Sequence, residues 1–323
     1  MTVNTMTPAE RAIAAFEHRI PDECTTFELE FQLAPEMFGR ELLNFDYWRK
    51  ADAFSAMSRL EKEKFIDDEA DFYVQVYKTL EYGIIPFYTP WPLDSWETEF
   101  FIRCLRDRVG NTQLLGAHGD GTFAIPDGDH MYDFAYRLYE DREGLLSEAD
   151  GYCRGAIEHN HMLKDKGIDV VWLCSDYCYN SGPFMSPEMF SVFITPFLER
   201  IVSAAKKDGL WVIKHTDGNI MPIIDQLVNC RPHALHSLDP MAGVDIAEVK
   251  RLYGDRIALC GNVNCALMQT GTDEQVRESA LYALKNGMPG GGYFFCTSNI
   301  PFRGMPPERY QMILDIWKEN RKY

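Results

Sequence analysis

Five short apolar runs punctuate the second half of the chain: Ile168–Cys174, Trp211–His215, Ala234–Leu238, Ile257–Cys260 and Gly292–Cys296. Helical segments separate them, and continuous apolar runs alternating with helices mark parallel strands buried on both faces. Three further runs, near residues 25, 84 and 113, bring the count to eight. Eight such strands point to a closed barrel rather than an open sheet. The expected fold is α/β: a single (β/α)8 TIM barrel over residues 1–323 with an N-terminal helical extension. No Gly/Ser/Pro-rich linker, internal repeat or low-complexity segment divides the chain.

The opening helix carries its own start signal. Thr7-Pro8-Ala9-Glu10 supplies a cap, a proline for the first turn and a glutamate three residues after the cap. After Pro21-Asp22, residues 25–31 alternate, with Phe27, Leu29 and Phe31 on one face and Glu28 and Glu30 on the other. The next ~50 residues read as charged helices, with Glu61 to Glu69 expected on a solvated face. An aromatic stretch follows, including Trp91 and Trp96, then a glycine-rich stretch, Gly116 to Gly121, and a helical block over about 129–166.

The charge balance narrows the partners. Against 32 basic residues stand 49 acidic ones, a formal charge of −17. That argues against nucleic acid or an anionic membrane as partner and suits a docking protein with a basic patch. The N-terminal residues lack a signal-peptide pattern, and no apolar run reaches the ~18 residues that span a bilayer. Nine cysteines without a framework spacing then read as reduced thiols in the cytoplasm. Cys174, Cys178 and Cys260 read as packing groups.

Parallel barrels place their chemistry where strands run into the following loops. Six of the eight runs carry polar groups there. These are Glu28 and Glu30; Ser175 to Asn180; His215 to Asn219; His236 to Asp239; Cys260 to Asn264; and Cys296 to Asn299. A purely structural barrel has no need of such a rim, so an enzyme is expected.

From residue 168 onward the chain resembles the uroporphyrinogen decarboxylase-like superfamily, which includes cobalamin-dependent methyltransferases. The resemblance runs in order through GIDVVWLCSDYCYNSGPFMSPEMF, KHTDGNIMPIIDQLV, ALHSLDPMAGVDIAEVKRLYGDRIALCGNVNCALMQTGTDEQV and GGGYFFCTSNIPFRGMPPERYQMIL. The opening TPAERAIAAFEHRIPDE is similar to that family's first helix. The resemblance implies a TIM barrel with its pocket at the strand C-termini. The decarboxylases carry an arginine-rich segment after the first helix; here Glu28-Leu29-Glu30-Phe31 follows it, which would repel a polycarboxylate. The methyltransferase branch binds zinc through a His-x-Cys pair and a later cysteine. In this chain His215-Thr216-Asp217 stands at the pair, and Cys296 precedes Ser298-Asn299-Ile300-Pro301 by two residues, a spacing that shares a strand face.

The resemblance therefore implies zinc held by His215, Asp217 and Cys296, with Asp176, Glu28 and Glu30 as catalytic candidates. Glu28 and Glu30 alternatively face lower barrel layers, paired to arginine. Tyr177, Asn180, Asn262, Asn299, Trp91 and Trp96 are the candidate substrate-binding residues. The expected activity is transfer of a methyl group from a small methylated substrate to the corrinoid of a separate protein. A carboxylate in place of a thiolate leaves the metal a stronger Lewis acid, favouring a methoxy compound over a thiol. The rival readings are a methylcobalamin:thiol methyltransferase, a cofactor-free decarboxylase using Asp176, and a barrel that only binds. The expected assembly is a monomer or a homodimer.

Overall fold

The computed structural model describes residues 5–323. Every one of the eight apolar runs contains a strand. They are β1 (Thr25–Thr26), β2 (Ile84–Pro86), β3 (Leu114–His118), β4 (Val170–Cys174), β5 (Trp211–His215), β6 (Ala234–His236), β7 (Ala258–Cys260) and β8 (Tyr293–Phe295). All neighbours pair in parallel, in chain order from β2 to β8, and β8 pairs with β1. The Gly83 N–H donates to the Thr26 carbonyl at 2.8 Å, which links β1 back to β2 and closes the ring. The fold is a (β/α)8 barrel, as the apolar runs require.

Strand β1 is much shorter than the alternation over residues 25–31 suggests, because Phe27, Leu29 and Phe31 continue into the core beyond the ladder. The first helix, Pro8–Phe16, has the capping box read from its sequence. Its Phe16 ring stacks on Trp211 at 5.0 Å and meets Phe294 at 4.7 Å, covering the end of the barrel where β5 begins. The further early helices, Ala34–Phe38, Leu43–Ala56 and Arg59–Thr79, lie between β1 and β2. Glu69 departs from its expected solvated place. It is buried and paired with Arg40 and Lys50, so the charge is compensated inside. The block near 129–166 forms two helices, Met131–Glu140 and Arg142–Asp165.

Two glycines are required where backbone or ring comes very close. A Cβ on Gly116 in β3 would lie 2.1 Å from the Trp172 ring of β4. Gly218, just beyond β5, has φ +80° and packs on the Cys178 carbonyl, where a Cβ would sit at 2.4 Å. It fixes the turn that carries Asp217. No helix among the described residues is long and apolar enough to cross a membrane.

Candidate metal centre

Register sets the site. Cys174, His215 and His236 pair across β4, β5 and β6, so these three lie at one level near the strand C-termini. Alternation turns the neighbouring Lys214 to the other side of β5. There its ammonium is fully buried, bonded to the Asp120 carboxylate and the Leu173 carbonyl at 3.0 Å and to the Ser175 carbonyl at 3.1 Å. The β3–α and β4–α loops are thereby tied to the back of β5.

On the barrel side, the Nε2 of His215 faces an Asp176 oxygen at 3.7 Å and an Asp217 oxygen at 3.8 Å. Donor atoms from these three residues all lie within 4.8 Å of one another. Each member is fixed by a different contact. The Asp217 N–H donates to the Asp176 carboxylate at 3.0 Å. The Ser237 hydroxyl donates to Asp217 at 2.9 Å, and the Asn299 amide donates to its other oxygen. The Nδ1 of His215 lies 2.7 Å from the Nδ1 of His236.

The electrostatics follow from burial. Desolvation, then the nearby Asp176 charge, push the Asp217 carboxyl up to about 7. Burial pulls His215 down to about 4 and outweighs the attraction of Asp176. The imidazole is therefore neutral at pH 7, and its carboxylate contacts are not ion pairs. A neutral imidazole facing two carboxylates, with no basic side chain between them, is a donor set suited to a divalent cation. It offers three N/O donors on three separately anchored groups, with Asp176 open to solvent.

The remaining sequence candidates divide sharply. The third donor brought to His215 and Asp217 is Asp176, not Cys296. The Cys296 thiol is fully buried beside Glu28, Cys260 and Cys265, and burial pushes it well above its ordinary range. Glu28 is also buried, but it pairs with Thr297 rather than arginine, accepting from its N–H at 3.0 Å and its hydroxyl at 2.6 Å. Burial pushes Glu28 up to about 8. Glu30 accepts from the Gln32 amide. Asn299 joins the site through Asp217, whereas the Asn262 amide donates to the Leu238 carbonyl at 2.8 Å. Tyr177 is buried, with its ring under the Lys214 ammonium and its hydroxyl against Thr122. Asn180 is exposed on the turn of a short hairpin, Cys178–Tyr179 with Gly182–Pro183. Trp91 packs in the core against Tyr47, Phe54 and Phe101, and Arg59 covers the Trp96 ring.

Two features escaped the sequence reading. His236 stood at a strand end like its neighbours, and only the β5–β6 register shows that it touches His215. His118, at the end of β3, is exposed, with Nε2 3.0 Å from the Tyr88 hydroxyl. Its place after an apolar run was a usable signal.

Residues 132–320, more than half of the chain, match the family model described as uroporphyrinogen decarboxylase (URO-D). The chain belongs to this family. Within it, curated relatives of two activities are similar. A methylcobamide:CoM methyltransferase, MtaA, from Methanosarcina barkeri is 24% identical over 197 residues, 59% of this chain and 56% of the relative. A uroporphyrinogen decarboxylase from Thioalkalivibrio sulfidiphilus is 23% identical over 227 residues, 65% of this chain and 60% of the relative. The matches thus span less than two thirds of either relative. A solved methyltransferase from Methanosarcina mazei shares the fold of this URO-D family chain with a TM-score of 0.69. Its identity is 15%, and the superposition covers 97% of this chain and 99% of that one.

Proposed function

We propose that this URO-D family chain is a methyltransferase of the corrinoid-related branch. It moves a methyl group from a small methoxylated substrate to the corrinoid of a separate protein. The observation that carries the reading is the convergence of Asp176, His215 and Asp217 at the strand C-termini, around an imidazole that burial keeps neutral. Zinc held by these three residues would supply a Lewis acid for the heteroatom that bears the methyl.

The protein's own part is orientation. Ser237 and Asn299 hold both oxygens of Asp217, so that carboxylate cannot swing toward the substrate. Asp176 is fixed through the Asp217 N–H yet remains exposed, which makes it the group that meets an incoming substrate. Carboxylates in place of thiolates favour polarising an ether oxygen, whose phenolate or alkoxide then leaves, over activating a thiol. The charged groups of the centre are anionic, and the buried Lys214 is committed to Asp120 behind β5. That charge pattern disfavours the decarboxylation of a polycarboxylate, for which cationic clamps are needed.

The test has two parts. Freshly purified protein is analysed for metal, with about one zinc per chain expected and its loss expected in His215→Ala. Reduced corrinoid protein is then supplied with methoxylated aromatics, and methylated corrinoid protein with small thiols. Turnover in the methoxy assay supports the reading; turnover only with thiols overturns it.

A further inference from the structure

His236 and His215 extend from adjacent strands in register, so their contact is set by the sheet and not by a loop. Both rings are buried, and their Nδ1 atoms are 2.7 Å apart. At that distance the two nitrogens share one proton. Two bare nitrogens would repel through their lone pairs, and two N–H groups would collide. With one ring proton on each imidazole, this contact links their tautomers: the ring that donates from Nδ1 has a bare Nε2, and the ring that accepts carries its proton on Nε2.

Two arrangements follow. When His215 donates from Nδ1, its Nε2 presents a lone pair to Asp176 and Asp217, and His236 carries its own proton on Nε2. When His236 donates from Nδ1, His215 carries an N–H at Nε2 and has no lone pair there for a cation. Both arrangements hold two ring protons, so the pair stays neutral and only the direction of the shared bond changes. The Nε2 of His236 is buried without a hydrogen-bond partner, with the main chain of Thr297 beside it.

We propose that His236 is a positioning residue that decides, through this shared proton, whether His215 offers a lone pair or an N–H to Asp176 and Asp217. The proposal rests on reading those three residues as a cation site. Metal-binding histidines commonly donate their second N–H to a carboxylate or carbonyl, which can only accept. A second imidazole can accept or donate, so it couples the ligand's readiness to its own tautomer.

The test uses the full chain with its histidine rings labelled with ¹⁵N, and zinc as the probe. Without metal, long-range ¹⁵N–¹H spectra should show one Nδ1–H across the His215–His236 pair. With zinc, that proton should reside on His215. His236→Leu removes the acceptor and should weaken zinc binding roughly 10–100-fold in competition with a chelator. His236→Asn, whose Oδ1 occupies the place of Nδ1 and accepts, should restore most of the affinity. A merely structural role would lower the unfolding midpoint of both variants and leave the asparagine variant as weak as the leucine one. Wild-type zinc affinity in His236→Leu, or Nδ1 protons on both rings or on neither, overturns the proposal. If the wild type takes up no zinc, the cation reading fails, and the spectra of the metal-free pair still decide whether the proton is shared.

Discussion

Asp217 and Glu28 are both carboxyls raised by burial, yet they answer to different neighbours. Asp217 is raised in part by the charge of Asp176, so replacing it with asparagine removes a repulsion as well as a ligand. Asp217→Asn should therefore lose zinc affinity by at least the roughly 10–100-fold that an outer partner costs. With a chelator present, so that lost zinc cannot contribute, its urea midpoint above pH 7 should not fall, and a lower midpoint would contradict the repulsion. Glu28 titrates at about 8 in the fold, against an ordinary value of 4.5. Below pH 4.5 both folded and unfolded chains are protonated. Between 4.5 and 8 the unfolded chain gives up the proton first, so stability falls as pH rises through this window and then levels off. Denaturant titrations from pH 5 to 9 should show that decline, on the order of a few kcal/mol, and Glu28→Gln should remove its share above pH 7, where the contribution of Asp217 has levelled off. A decline unchanged in the glutamine variant would assign it to another group.

At the scale of elements, the Lys214–Asp120 pair joins strand β5 to the loop after β3, and the same ammonium holds two carbonyls at the end of β4. Lys214→Met leaves Asp120 buried without a counter-charge and should cost about 3–5 kcal/mol in urea unfolding. Adding Asp120→Asn should recover part of that loss, which an independent pair of sites would not do. This pair also marks where the sequence stopped being legible. Apolar runs located all eight strands, because a strand covered on both faces must be apolar throughout. Their polar ends located Asp176, His215 and Asp217. What pairing register adds was not readable from one chain: that His236 touches His215, or that Lys214 faces away from it. The two-residue spacing of Cys296 from Ser298 points it toward the site, but its thiol lies beside Glu28 and Cys260. Glu69 was read as solvated from its charged surroundings, whereas its partners Arg40 and Lys50 come from residues 29 and 19 positions away. Trp91 and Tyr177 looked like pocket residues by type, and burial made them packing groups.

At the scale of the whole molecule, the formal charge of −17 biases which proteins approach the barrel. A corrinoid protein with a basic face should associate more slowly as ionic strength rises, because long-range attraction between exposed charges is screened within ~10 Å at 0.1 M salt. Stopped-flow association rates independent of salt would contradict such steering. Closure of the ring has a different consequence. Thr25 and Thr26 pair with Phe294 and Phe295, and the Trp317 indole donates to the Cys24 carbonyl at 3.0 Å. The partner of the first strand is thus the last one made. During synthesis at ~5–20 residues per second, β1 waits for the length of nearly the whole chain to emerge. Throughout that interval β1 and the most recently formed strand are open edges, able to pair with another nascent copy. Until the last strand arrives, the unpaired edge of the first is a place where two nascent copies could pair, and the closed ring removes it.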